Sequence, residues 1–263
     1  MADFHVIGGA TKTLAHPQIR KIQVSDLSDV LRAGFSDFWD KPSHYAFLGL
    51  IYAVVGIALA VWSSGANALP IIFPLASGFA LLGPLAAVGL YEISRRKEQG
   101  ADTSWQHAVE VIRSPALPSI IAVGIFIFAI FYLWLTAAES IYQSIFGLAP
   151  PTSITAFVQE VLTTDRGWHL IMWGCGIGFL FALFTLATTF IAFPLMVDRD
   201  VGAFAAVETS MRAFFANPIP VLAWGLIVAA LLVIGSIPFF VGLAIVVPVL
   251  GHATWHLYRK LVV

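Results

Sequence analysis

Six long apolar runs dominate this chain of 263 residues and limit what it can fold into. Each run has about 20 residues or more, the length that an α-helix needs to cross the ~30 Å hydrocarbon core of a bilayer. Charged residues make up only 11% of the chain, against about a quarter in soluble domains, too few to cover a water-facing surface. We therefore expect an all-α fold, a polytopic transmembrane bundle of six helices at about 44–63, 69–92, 116–138, 168–197, 218–236 and 238–258.

The distribution of basic residues predicts the orientation in the membrane. If the N-terminus is cytoplasmic, thirteen of the fourteen Lys and Arg residues fall on the cytoplasmic side, and only Arg166 falls on the other. This asymmetry follows the positive-inside rule, and an even number of spans returns the C-terminus to the cytoplasm. The net charge of −1, without a basic patch, excludes nucleic acid as a partner and leaves the lipid bilayer as the expected environment.

An internal repeat organises the chain. An amphipathic segment that ends in proline and is followed by a span occurs three times, with the segments at 25–42, 103–115 and 202–218. Proline ends each segment because it disfavours the α conformation of the residue before it. Prolines inside the return helices (Pro84, Pro194 and Pro248) predict a kink in each. We predict a polar tail over 1–24 and a single membrane domain over 25–263, with repeat units 25–96, 103–200 and 202–260.

The three amphipathic segments each carry one apolar stripe at helical spacing. A helix with a single apolar stripe and charges opposite is typical of the membrane interface. The stripes comprise Leu27, Val30, Leu31, Phe35 and Phe38 in the first, Trp105, Ala108, Val109 and Ile112 in the second, and Phe204, Val207, Met211, Phe214 and Phe215 in the third.

The third segment and the residues before it hold the candidate binding or docking site. An arginine lies between two aspartates, and a helix with further polar residues follows; the candidates are Asp198, Arg199, Asp200, Glu208, Arg212 and Asn217. The group could dock a partner or a lipid headgroup. A structural interpretation is also open, in which Asp200 caps the helix, Glu208 pairs with Arg212 one turn on, and Asn217 caps the C-terminal end.

His252 and His256 are four residues apart, so they share one face of the last helix. That spacing suits two ligands of one transition metal, and His252 could instead be an axial ligand of haem. Hydrogen bonding at the interface is the alternative. No cysteine or carboxylate cluster completes a ligand set in the sequence, so the metal or haem hypothesis is the weaker one, and we expect no cofactor.

The stretch "PLMVDRDVGAFAAVETSMRAFFANP" resembles an uncharacterised family of predicted proteobacterial integral membrane proteins. The resemblance extends from "DVLRAGFSDFWDKP" to the last helix. Some members of that family carry the label of putative cytochrome c oxidase components. The resemblance implies a multi-pass protein of the bacterial inner (plasma) membrane, compatible with an accessory or assembly role beside a respiratory complex.

No phosphate-binding loop, nucleophile elbow or zinc-protease motif occurs, so we expect no enzyme. The leading hypothesis is an accessory, assembly or scaffold subunit that contacts another membrane complex or a second copy of itself. The alternative is a small-solute or lipid transporter or channel built on a pseudo-threefold repeat. A haem or metal protein that uses His252 and His256 is the third hypothesis.

Overall fold

The computed structural model describes residues 17–40, 54, 57–58, 70, 72–149, 151 and 153–263. Over these residues the regular structure is helical, and an isolated antiparallel bridge joins Ile19 to Val262. The all-α class is therefore confirmed. The first predicted span, 44–63, lies almost entirely outside the described residues, as does most of the predicted polar tail.

The described helices alternate between short surface elements and long apolar ones. In chain order they are α1 (Asp26–Asp40), α2 (Ile72–Leu81), α3 (Gly83–Ala86), α4 (Val88–Glu98), the 3-10 helix η1 (Trp105–Arg113), α5 (Leu117–Phe146), α6 (Ile154–Thr163), α7 (Asp165–Thr189), α8 (Ala192–Asp198), α9 (Ala203–Ala216), α10 (Pro218–Ser236) and α11 (Leu243–Leu261).

Three described segments are long and apolar enough to cross a membrane: Leu117–Phe146, Asp165–Asp198 and Pro218–Ser236. They correspond to the third, fourth and fifth predicted spans. The second predicted span, 69–92, is divided among α2, α3 and the start of α4. The sixth corresponds to α11, which ends in basic residues and is largely buried. The count of six spans is therefore not confirmed.

The predicted kinks occur at two of the three prolines. The helix is interrupted at Leu82, just before Pro84, and at Phe190 and Ile191, just before Pro194. A proline ring clashes with the carbonyl four residues earlier, which accounts for breaks at these places. At Pro248 the helix α11 is not interrupted, and a bend there stays a prediction.

The chain divides into two compact units, and the first contains the described residues before 55 together with Gly83–Phe126 and Leu186–Val263. In it α1 and α4 pack against α11. Gly34 of α1 lies so close to Ala253 that an added Cβ would be 2.6 Å from its backbone nitrogen. Gly89 of α4 is in similar contact with Ala108 of η1. Small residues therefore bring these backbones together.

The second unit contains the described residues of Val55–Leu82 and Ile127–Thr185. Trp134 of α5 is at its centre, with 3% of its surface exposed. Its indole Nε1 donates to the carbonyl of Pro74 in α2 at 2.8 Å. Its ring also packs against Phe181 of α7, with ring centroids 5.7 Å apart. A buried indole with a satisfied N–H thus joins three helices.

The three predicted amphipathic segments form α1, η1 and α9. The second is a 3-10 helix rather than an α-helix. In α1 and α9 the predicted stripe divides into buried and exposed residues, whereas in η1 its large members are exposed and the buried residue is Val111, outside the predicted stripe. Phe38 is 3% exposed but Phe35 is 50% exposed, and Phe214 is 8% exposed but Phe215 is 70% exposed.

Candidate functional site

The two ends of the described chain pair with each other through their backbones. The amide of Arg20 donates to the carbonyl of Leu261 at 2.8 Å, and the amide of Val263 donates to the carbonyl of Gln18 at 3.1 Å. These bonds flank the bridge between Ile19 and Val262. Residues 17–23 therefore form an extended segment against the C-terminus, and we call them the N-terminal strap.

The Asn217 side chain also binds the strap. Its Oδ1 accepts a hydrogen bond from the amide of Ile22 at 2.8 Å, and its Nδ2 donates to the carbonyl of Arg20 at 3.0 Å. Asn217 is 3% exposed. The predicted C-cap role is also present, because the Asn217 amide donates to the carbonyl of Ala213 at 3.1 Å. One residue thus ends α9 and binds a segment that is 195 positions away.

Asp198 and Arg199 lie beside the C-terminal end of α11. The Asp198 carboxylate accepts hydrogen bonds from the Tyr258 hydroxyl at 2.6 Å and from Arg259 at 3.3 Å. Arg199 lies 3.5 Å from the same carboxylate and donates to the carbonyl of Val263 at 3.4 Å. Arg259 also binds Glu98 of α4 at 3.1 Å. The first two residues of the predicted triplet therefore connect α8, α11 and α4.

The other candidates on this side are placed less centrally. Asp200 and Glu208 are half-buried, whereas Arg212 is exposed on α9 and forms no ion pair with the residues that the structure describes. The structure thus brings Asp198, Arg199 and Asn217 to the paired chain ends. A docking role for the group stays a prediction.

A second group of polar side chains lies between α1, α4 and α11, and sequence reasoning missed its centre. Asp37 accepts hydrogen bonds from Lys97 at 2.7 Å and from His256 at 2.8 Å, and Lys97 also contacts Asp40. Burial alone would raise the pKa of Asp37, but the hydrogen bonds from His256 and Lys97 outweigh it and hold that pKa below its usual range. The carboxylate is therefore ionised and joins three helices.

A signal for Asp37 was present in the sequence. Residues 27, 30, 34 and 38 form the buried face of α1, and position 37 lies on that face, next to Phe38. A carboxylate on the apolar face of a helix requires a partner, because an unpaired buried charge is costly. Lys97 and His256 could not have been chosen as those partners from spacing alone.

The two histidines of α11 bind different partners. His252 Nδ1 lies 2.7 Å from the hydroxyl of Ser94, whereas His256 Nε2 binds Asp37. Ser94 and His252 are at the distance of a nucleophile and its base, but they are 3% and 1% exposed, so a substrate could not reach them. No three His, Cys, Asp or Glu side chains gather as a metal site within the described ranges. The metal or haem hypothesis stays untested.

A third group connects η1 to the end of α4. His107 binds Glu110 through Nδ1 at 2.6 Å and Asp102 through Nε2 at 3.0 Å, and Arg96 binds Glu110 at 2.8 Å. Both imidazole nitrogens face carboxylate oxygens, an arrangement that favours the form with a proton on each nitrogen. The hydrogen bonds to Glu110 and then to Asp102 raise the pKa of His107.

The segment from α2 to the end of α8 is similar to a known family. Residues 71–198 match the model of a family described as predicted integral membrane protein (DUF2189). The resemblance to an uncharacterised membrane family is confirmed. The match is shorter than expected, since residues 199–218, which carried most of the resemblance, lie beyond it. No curated protein and no solved structure matches the chain.

The family match and the three apolar segments agree on the environment of the protein. The matched residues include two of the three candidate spans, Leu117–Phe146 and Asp165–Asp198. This chain is thus a predicted integral membrane protein. A proteobacterial source, the label of cytochrome c oxidase component, the inner membrane and a cytoplasmic N-terminus stay predictions.

Proposed function

We propose that the protein is a non-catalytic accessory, assembly or scaffold subunit of a membrane complex. The observation that carries this proposal is the location of charge along the three candidate spans. Leu117–Phe146 contains one charged residue, Glu139, and Pro218–Ser236 contains none. In Asp165–Asp198 the charged residues are within the first two positions or at the last.

This pattern argues against ion-coupled transport through these spans. Transporters and proton pumps use ionisable side chains at membrane depth, because the moving ion or proton needs a partner there. Here the charged side chains instead form pairs between helices, such as Asp37 with Lys97 and Asp198 with Arg259. Their chemistry supports holding helices together rather than moving a solute.

The outward faces of the spans favour contact with lipid and with other helices. Phe128 and Tyr132 of α5 are 52% and 67% exposed, and Leu226 of α10 is 70% exposed. A subunit that docks in the membrane needs such apolar faces, since interfaces between spans form by close packing in the absence of water. The family resemblance adds a respiratory complex as the first partner to test.

The proposal is tested by isolating the tagged protein from its native membrane in a mild detergent. We expect a complex of fixed stoichiometry with another integral membrane protein on native electrophoresis. Deletion of the gene should lower the amount of that assembled complex. A photoreactive amino acid at Phe128, which is exposed, should crosslink to the partner, whereas the same group at the adjacent Ile127, which is 0% exposed, should not.

Three outcomes would contradict the proposal. The proposal loses its basis if the protein is isolated without a partner and deletion of its gene leaves all other membrane complexes intact. Solute or lipid flux by the purified protein in vesicles would establish the transporter alternative. A haem Soret band, or a stoichiometric metal that is lost from a variant lacking His252 and His256, would establish the third hypothesis.

A further inference from the structure

Large apolar side chains project from the outer face of each surface helix. We call these three sets the apolar ridges. They comprise Phe35 (50% exposed) and Trp39 (65%) on α1, Trp105 (40%), Val109 (56%) and Ile112 (66%) on η1, and Phe204 (60%), Met211 (36%) and Phe215 (70%) on α9. On α1 the two rings stack, with centroids 5.5 Å apart. On α1 and α9 the members of a ridge are four or seven residues apart, so each ridge follows one side of its α-helix. In the 3-10 helix η1, Val109 and Ile112 are three residues apart and share one side.

The ridges are not the faces that pack on the rest of the protein. On α1 the packed face contains Gly34, in contact with Ala253, and on η1 it contains Ala108, in contact with Gly89. On α9 the buried residues include Ala206 and Ala213, both 0% exposed. The packed faces thus contain small residues at the points of close approach together with some large ones, such as Phe38 and Phe214, while the ridges are a second set of large apolar side chains that face outward.

The ridges of η1 and α9 lead directly into exposed apolar faces of spans. Phe215 is followed across Pro218 by Ile219 and Leu226 of α10, each 70% exposed. Ile112 is followed by Ile121 and Ile125 of α5, which are 51% and 65% exposed. An apolar surface that continues into a membrane-crossing helix lies at the boundary of the hydrocarbon core.

The chain path puts η1 and α9 on one side of the membrane. If α5 crosses once and Asp165–Asp198 crosses back, the chain returns at Asp198 to the side that it left at Leu117. The helix α1 is tied to the same end, because Lys97, in the last turn of α4 just before η1, binds Asp37. All three ridges can therefore meet the same leaflet.

Each ridge is accompanied by an exposed arginine: Arg32 on α1, Arg113 on η1 and Arg212 on α9. The Arg32 side chain is 82% exposed, with Asp29 at 3.7 Å. Arg113 and Arg212 form no ion pair among the described residues. Three other basic residues of this unit, Lys97, Lys260 and Arg259, instead bind carboxylates within the protein.

Guanidinium groups beside inserted apolar side chains fit one occupant well, an acidic phospholipid. Arginine matches the geometry of a phosphate with paired N–H donors. Aromatic rings such as those of Trp39 and Trp105 favour the headgroup level, where one edge is apolar and the other wet. We propose that α1, η1 and α9 bind acidic phospholipids of one leaflet, with the apolar ridges inserted at the acyl boundary and Arg32, Arg113 and Arg212 on the headgroup phosphates.

The arginine part is tested by native mass spectrometry of the purified full chain with phosphatidylglycerol or phosphatidylcholine. We expect preferential retention of phosphatidylglycerol. Arg113→Gln and Arg212→Gln should each weaken it about fivefold, which corresponds to the ~1 kcal/mol that one basic residue contributes near an anionic surface. Arg166→Gln removes the same charge from the single basic site predicted on the other side and is the matched control. Equal retention of the two lipids, or equal effects of all three substitutions, would overturn the proposal.

The ridge part is tested by spin labels in vesicles that contain phosphatidylglycerol. Nitroxides at Phe35→Cys and Phe215→Cys, in a Cys175→Ser background, should be relaxed by oxygen more than by a water-soluble nickel chelate. A label at Ser36→Cys, adjacent but off the ridge, should show the reverse. If both ridge labels are relaxed chiefly by nickel, the ridges face water. If neither reagent reaches the two labels, protein covers them. Either result contradicts the lipid-binding proposal but leaves the proposed accessory function intact, because a partner subunit could bind elsewhere.

Discussion

The hydrogen bonds from Asn217 to the N-terminal strap, which we call the Asn217 clamp, lead to a quantitative prediction. Two of its hydrogen bonds reach the strap, to Ile22 at 2.8 Å and to Arg20 at 3.0 Å. A third, to Ala213 at 3.3 Å, stays within α9. Each hydrogen bond contributes about 1 kcal/mol net. Asn217→Ala should therefore ease detachment of the strap by ~2 kcal/mol, about 30-fold in the opening equilibrium.

Hydrogen exchange measured by mass spectrometry reports this opening directly. Exchange of peptides that cover residues 17–23 should be about 30-fold faster in Asn217→Ala, because local opening limits exchange there. Peptides from the middle of α11 should be unchanged. Thr209→Val is the matched control, since the Thr209 hydroxyl is buried in the same helix and bonds the carbonyl of Ala205 at 2.7 Å, without a bond to the strap.

Asn217→Asp separates the donor from the acceptor. The carboxylate can still accept from Ile22 but directs an oxygen, instead of an N–H, at the carbonyl of Arg20. At neutral pH the strap should open at least as readily as in Asn217→Ala. Below pH ~4 the carboxyl gains a proton that can be donated to Arg20, so protection should partly return after correction for the intrinsic rate. Unchanged protection of residues 17–23 in both folded variants would refute the clamp.

Three further predictions concern the helix contacts and their titration. Gly34→Ala puts a methyl group 2.6 Å from the backbone nitrogen of Ala253, so exchange in α1 should accelerate by an amount that corresponds to about 1–3 kcal/mol, whereas Gly83→Ala, with nothing within 4 Å, should leave it unchanged. Asp37→Asn should lower the free energy of unfolding in detergent by ~2 kcal/mol at pH 7, a value reduced because the partners of Asp37 are partly exposed. The pKa of Asp37 in the folded protein lies below 3.8, so the difference between Asp37→Asn and the original protein should vanish as the pH falls through that folded pKa. Because the pKa of His107 is raised, its hydrogen bonds contribute fully to stability below pH 6.5, and this contribution is lost as the pH rises through the higher pKa of the folded protein. Hydrogen exchange in η1 should follow that titration, and His107→Gln should abolish its dependence on pH.

Features that depend on local sequence were largely predictable. Apolar length gave the three spans, and the start of α10 at Pro218 follows from the tolerance of proline in the first helical turn. The strap could not be predicted, because Ile22 and Asn217 are 195 positions apart and an extended polar segment has no periodicity. The same holds for Asp37, whose position on an apolar face indicated a partner without identifying it.

The surface helices differ from expectation for a more general reason. Periodicity shows that one side of a helix avoids water, but a protein core and a lipid acyl chain are both apolar and produce the same signal. The stripe of α9 was predicted as one face, yet Phe214 is buried and Phe215 is 70% exposed. Such a helix has two apolar sectors, and sequence alone does not say which of them contacts protein.

The division of the stripe determines what the second sector must contact. Fully burying one large apolar side chain is worth about 1.5–3 kcal/mol, so moving the exposed parts of the apolar ridges out of water would gain a free energy comparable to the stability of a typical domain. Small residues on the packed sectors, such as Gly34 and Ala213, allow close approach to the protein, and the large side chains of the exposed sectors are left for another medium. The arginine beside each ridge then distinguishes between a protein interface and a lipid leaflet as that medium. A protein interface would bury the guanidinium and require a carboxylate opposite it, whereas a leaflet provides phosphate at the headgroup level and hydrocarbon just below it.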